Sequence, residues 1–199
     1  MGPPRPPPGM MRPVKTAAAL VAFLSATAWA WRARAVNQDE WQVALRAGAA
    51  VVNVDGRSPW GPTAALDLEY GILDAWALRL SLEGSFHSVD KQVKPALPGG
   101  TVDTETALAG ICYTIDVLRL VPYADLEFGV SRFGGAVTAP LTMFVSQLGI
   151  GADYYLTHRW LAGASIQYLY RPQDLVSNPQ GLGNSPFMFS ATVRLAYGF

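Results

Sequence analysis

Residues 187–199 read FMFSATVRLAYGF, and they decide the fold. Phe187, Phe189, Ala191, Val193, Leu195, Tyr197 and Phe199 occupy the odd positions; Met188, Ser190, Thr192, Arg194, Ala196 and Gly198 occupy the even ones. One apolar, aromatic-rich face against one small or polar face, kept up for thirteen residues, is the period-two pattern of a β-strand.

Seven further segments repeat the pattern on the N-terminal side. WLAGASIQYLYR (160–171) and AWALRLSLEGSF (75–86) alternate strictly, with Arg79 and Glu83 on the polar face of the second. AALDLEYGI (64–72) opposes Leu66, Leu68, Tyr70 and Ile72 to Asp67 and Glu69. Weaker versions run over 41–52 (polar face with Arg46), 106–115, 120–130 (Asp125, Glu127) and 143–156 (Gln147, Asp153). Most of these eight segments reach the roughly 9–11 residues with which a tilted strand crosses a bilayer.

The links between them alternate in length. Short ones fall around Asp74, at Asp116–Arg119 and at Thr157–Arg159; longer polar ones fall at Asp55–Thr63, Ser88–Gly100, Arg132–Leu141 and Pro172–Pro186. Short turns at one end and long loops at the other are the layout of an all-β, eight-stranded antiparallel up-and-down transmembrane β-barrel, with its short turns in the periplasm. The apolar face supports that reading. No charge interrupts its central part, and aromatics collect at both ends. Trp41, Tyr70, Trp76, Tyr113, Tyr154, Trp160, Tyr197 and Phe199 form a periplasmic girdle, and Phe86, Phe128, Phe144, Tyr168, Tyr170, Phe187 and Phe189 an outer one. A water-soluble barrel with an apolar interior explains neither the girdles nor the export leader described next.

The first 35 residues are read as an address. From Met11, Arg12 and Lys15 precede an apolar stretch from Ala17 to Ala30 and a small-residue end, the layout of a secretory signal peptide. Cleavage fits after Ala30 or after Ala35, leaving 36–199 as the barrel domain; the signal is complete without residues 1–10, which fit a misplaced translation start. Outside this leader no run of about 20 apolar residues occurs, which excludes a polytopic helical membrane protein.

Composition narrows function further. Charged residues are 15% and aromatics 11% of 199 residues, which argues against disorder. Five of the fifteen Lys and Arg precede the first acid, so residues 36–199 hold ten basic and fifteen acidic side chains and no basic stripe for nucleic acid. Cys112 is the only cysteine, so neither an internal disulfide nor a thiolate cluster can form.

The chain resembles the small eight-stranded outer-membrane proteins of Gram-negative bacteria, of the OmpA and OmpX barrel type, over residues 41–199. The element that carries the likeness is the last strand, ending Tyr197-Gly198-Phe199. The resemblance implies that Tyr197 and Phe199 belong to the signal read by the barrel-assembly machinery, after escort by periplasmic chaperones. It also implies a place among outer-membrane lipids and lipopolysaccharide. The soluble peptidoglycan-binding domain of larger relatives is not expected.

Candidate chemistry is sparse. His87, Ser88 and Asp90 lie near the outer end of the third strand, and some small barrels are lipid A deacylases or acyltransferases with His and Ser near the outer leaflet. In a strand, however, His87 and Ser88 point to opposite faces. His158 lies in a turn, and Gly149-Ile150-Gly151 lacks the third glycine of a dinucleotide site. No metal, cofactor or catalytic set is expected; lumen glycines are expected to make room for large side chains, with Cys112 a small residue among them. What remains is a lumen charge network. Eight strands enclose a space that side chains can fill, and Arg46, Asp67, Glu69, Arg79, Glu83, Asp125, Glu127, Asp153 and Arg194 fall near its middle heights. Arg46 and Arg194 are expected to pair with Asp67 and Glu69, and Arg79 with Glu83 or with Glu127 and Asp125. A non-enzymatic structural or surface-interaction barrel is the leading reading, ahead of an outer-leaflet lipid-modifying enzyme and a narrow channel for small molecules.

Overall fold

Alternation along each segment gives a sheet with one apolar and one polar face, and closing that sheet leaves no unpaired edge in the membrane. The computed structural model describes residues 38–54, 56–91, 99–115, 119–137, 139–173 and 187–199. The leader and both cleavage sites lie outside the described residues, as does most of the 172–186 link. The strands are β1 (Trp41–Asn53), β2 (Trp60–Leu73), β3 (Trp76–Val89), β4 (Gly100–Thr114), β5 (Leu120–Gly135), β6 (Leu141–Tyr155), β7 (Trp160–Tyr170) and β8 (Phe187–Gly198). Each pairs antiparallel with the next, and β8 returns to β1, so the barrel is closed. At the seam, backbone bonds run from Trp41 N–H to the Phe199 carbonyl (3.1 Å) and from Phe199 N–H to the Trp41 carbonyl (2.9 Å).

The faces are inverted relative to a water-soluble protein. Leu45, Leu80, Leu82, Ile150 and Val193 are exposed on the outside, while Arg46, Asp67, Glu69, Arg79 and Glu127 are buried inside. Lipid, not water, is the solvent that meets the outer face.

The short-turn end carries three tilted cross-strand aromatic pairs. Trp41–Tyr70, Trp76–Tyr113 and Trp160–Tyr197 have ring centroids 4.8, 4.8 and 4.9 Å apart, and Tyr154 is exposed opposite Leu120. Such pairs contribute about 0.5–1.5 kcal/mol beyond the area they bury. The other end holds Phe128–Phe144 and a cluster of Tyr168, Tyr170 and Phe187.

Three long links are shorter than the sequence suggests. β2 begins at Trp60, β3 runs to Val89, β4 starts at Gly100 and β5 continues to Gly135, all inside stretches read as loop. The ladder needs only backbone N–H and C=O groups, so it continues past the point where the apolar alternation fades. This extension puts Trp60, 67% exposed, on the outer wall, and sets Glu105 and Arg132 opposite one another on β4 and β5.

Candidate functional site: the barrel lumen

Period two sends every second side chain inward, and eight strands bring the polar set into one column. Near the short-turn end, among the described residues, three arginines meet six carboxylates. Arg46 on β1 grips Asp67 on β2 with both ends of its fork, Nε to Oδ2 at 2.7 Å and Nη2 to Oδ1 at 2.9 Å. Its Nη2 also lies 3.9 Å from Glu83. Arg79 on β3 reaches Glu69 at 2.9 Å, Asp125 across the lumen at 2.8 Å and Glu127 at 3.8 Å, and Nη2 donates to the Cys112 sulfur at 3.2 Å. Arg194 on β8 pairs with Asp153 and Glu69, and lies 3.9 Å from Asp67. Glu83, one of the partners the sequence offers for Arg79, sits instead beside Arg46 and accepts a 2.9 Å hydrogen bond from Thr63.

Three cations for six acids means that each arginine is shared. A guanidinium suits this role because its planar fork carries five donors. All of these side chains are at most 4% exposed. Breaking such a buried pair costs about 3–5 kcal/mol, because the remaining charge is left without a partner.

Tyr123 on β5 is a member that sequence reasoning left out. Its ring lies between two arginines, with the Arg79 and Arg194 guanidinium carbons 5.1 and 5.4 Å from its centroid. The space for it comes from Gly151 on β6, where an added Cβ would collide with the ring and lie 2.5 Å from the hydroxyl or closer. Gly149 and Gly163 likewise stand beneath the Asp125 and Asp153 carboxylates. The cue in sequence was an inward tyrosine on β5 opposite the lumen-facing Gly149 and Gly151 of β6. A cavity of about 10 Å³ beside Glu69, Arg79, Tyr123, Asp153 and Arg194 is the size of about one water molecule.

Above the ionic layer the lumen becomes neutral and then apolar. Thr106 bonds Ser131 (2.8 Å), Ser165 bonds Thr192 (2.8 Å), and Ser190 donates to Gln167 (3.1 Å). The long-loop end is filled by a buried cluster that includes Val52, Val102, Phe133, Val145, Leu169 and Met188.

His87 lies between these layers, and its partner is not Ser88, which points outward and is exposed. Ser85, two residues back on the same face, contacts His87 Nε2 at 2.7 Å and Thr104 Oγ1 at 2.5 Å. His87 and Ser85 are both 0% exposed, with Met188 3.6 Å from the serine hydroxyl. His158 is exposed in the β6–β7 turn. Among the described residues no group of three or more His, Cys, Asp or Glu is arranged to hold a metal ion.

Comparison with solved structures finds the same architecture in proteins of very different sequence. Neisserial surface protein A (NspA) superposes with a TM-score of 0.59 at 16% identity, over 80% of this chain and 97% of its own. OprG from Pseudomonas aeruginosa gives 0.55 at 14% identity, over 82% and 98%. Ail, the attachment invasion locus protein of Yersinia pestis, gives 0.54 at 15%, over 81% and 99%. These likenesses are of fold. Comparison with curated protein sequences gives no match. The family model for the outer membrane protein beta-barrel domain matches residues 16–194, most of the chain. With the apolar side of its closed barrel turned outward and that match along its length, this chain belongs to the outer membrane protein beta-barrel family and resides in the bacterial outer membrane.

Proposed function

We propose that this is a sealed, non-enzymatic barrel with a structural or surface-interaction role, exerted through its wall and its extracellular loops. The observation that carries the reading is the filled lumen. Arg46, Arg79, Arg194 and Tyr123 occupy the ionic half, the cavity left beside them holds about one water, and a buried apolar cluster closes the outer half. An ion would have to displace paired charges at one end and enter hydrocarbon at the other. Planar-bilayer recording of the folded monomer is expected to show no steady conductance. Large, stable single-channel steps would overturn the reading and favour a channel. The burial of His87 and Ser85 speaks against a lipid-modifying enzyme, because an acyl substrate must reach the nucleophile.

Biogenesis belongs to the same proposal. Residues 1–35 act as the export signal, and the Tyr197–Phe199 end is presented to the barrel-assembly machinery after periplasmic chaperones release it. Phe199 also makes both backbone bonds to Trp41 at the seam. Deleting it is expected to cut the amount of barrel in the outer-membrane fraction several-fold, since it removes two hydrogen bonds of about 1 kcal/mol each as well as the recognised side chain. Wild-type levels of the truncated chain in that fraction would refute the role of the terminal residue.

A further inference from the structure

The outer end of the β1–β2 hairpin breaks the period of the wall. Val52, Asn53 and Val54 are consecutive, yet none is more than 7% exposed. A hairpin that ran straight out of the membrane would bury alternate residues and keep one face in water. Three buried residues in a row mean that the hairpin end bends inward and is covered on both faces. Backbone bonds hold it together as a unit: Val52 N–H to the Pro59 carbonyl at 3.3 Å, Val54 N–H to the Arg57 carbonyl at 2.9 Å, and Arg57 N–H to the Val54 carbonyl at 3.0 Å. Gly56, with a left-handed φ of 71°, permits so tight a reversal.

Arg57 shows where the hairpin end goes. It is buried although it belongs to a connection, and its Nη2 donates to the Ala136 carbonyl at 2.8 Å. Ala136 follows β5, and in a closed ring of eight strands the β1–β2 and β5–β6 connections stand on opposite sides. The guanidinium therefore closes a span across the mouth. On the receiving side Gly135 turns the chain with a φ of 74°, and Ala136 N–H is held by the Thr101 carbonyl at 2.8 Å. Under the span, Val54 of the hairpin joins Val89, Val102 and Val137 in one apolar cluster, against which Ala136 packs. Below that cluster lies His87, with Gly61 of β2 so close that a Cβ there would stand 2.8 Å from His87 Nδ1.

We infer that the end of the β1–β2 hairpin is a lid, latched by Arg57 on the Ala136 carbonyl, that closes the apolar half of the lumen to the outside medium. Apolar contact has no direction, so Val54 by itself would let the lid slide over the valines beneath it. A hydrogen bond from a charged donor is directional and strong, and it fixes one closed position. The lid deepens the sealed-barrel reading and rests on it, but the two are tested apart. Steady conductance through the wild type with His87 still shielded would remove the ionic seal and leave the lid standing. A silent wild type with His87 freely reactive would do the reverse.

The test is carbethoxylation of histidine by diethyl pyrocarbonate in the full barrel folded in detergent micelles, read by peptide mass spectrometry, with folding checked by heat-modifiable gel mobility. The chain has two histidines. His158, exposed in the β6–β7 turn, is the internal reference, and His87 lies buried under the lid. In the wild type His87 is expected to react far more slowly than His158. Arg57→Ala is expected to speed His87 about tenfold or more, the size of one hydrogen bond to a charged group, with His158 unchanged. Gly135→Ala disturbs the latch from the other side, because a Cβ there would collide with the Thr101 carbonyl oxygen and stand 2.7 Å from Asp103 Oδ1; it should act alike. Arg57→Lys keeps a charged donor and should stay near wild type. The double variant Arg57→Ala/Gly135→Ala is expected to react no faster than the faster single one, since both release one latch. Independent losses of stability would multiply instead, and that result would overturn the latch, as would unchanged His87 reactivity in Arg57→Ala. Wild-type His87 reacting as fast as His158 would overturn the lid itself.

Discussion

Replacing Arg79 with alanine is expected to destabilise the folded barrel by about 3–5 kcal/mol, the cost of stranding buried charge. Arg79 touches Glu69 on β2, Asp125 and Glu127 on β5 and the Cys112 sulfur on β4, and lies over the Tyr123 ring. These contacts of Arg79 tie β3 to β2, β4 and β5 across the lumen. Its loss leaves three carboxylates in contact with less positive charge and opens a void between them, so both penalties act in the same direction. Arg79→Lys is expected to fall in between. The charge is kept, but a single ammonium cannot reach Glu69 and Asp125 with separate arms of a planar fork. Urea unfolding in lipid vesicles, followed by tryptophan fluorescence, measures both. A loss below about 1 kcal/mol for the alanine variant, the range of an average substitution, would show that the network is hydrated and loosely held.

A second large effect is expected at the seam. Gly48 on β1 is the register partner of Thr192 on β8. A Cβ at Gly48 would run into the Ala191 carbonyl oxygen and stand 2.7 Å from Thr192 Cα. Neither is the end of a flexible side chain, so relief requires moving the β1–β8 ladder apart. Overpacking costs about 1–3 kcal/mol where side chains can shift, and more where only backbone can. This pairing also joins the two ends of the barrel and so carries the largest loop-closure entropy. Gly48→Val should therefore leave most of the chain unclosed, seen as loss of the heat-modifiable band. Gly84→Ala, with only the Thr104 carbonyl at 3.8 Å, should keep it. Normal closure of the Gly48→Val barrel would mean that the seam is looser than its register implies.

The sequence by itself determined the strand count, the alternation of short and long connections, the side each residue takes and the aromatic belts. All of these follow from side-chain period and turn composition, which are local properties of the chain. It did not locate the outer strand ends. Trp60, Glu105 and Arg132 lie in strand although the apolar alternation has stopped there, because backbone pairing continues without it. Nor did it pick out Ser85 as the neighbour of His87: the two share a face, whereas Ser88, adjacent in sequence, is turned outward by the strand. The partnerships inside the lumen were decided only by tertiary structure. Arg79 meets Asp125, and Arg194 meets Glu69, 46 and 125 residues away. Tyr123 fills the space over Gly151. Period two says that a side chain points inward; its height there depends on how far each strand is staggered against the next around the closed barrel. That stagger is fixed by closure of the whole sheet, not by any single segment.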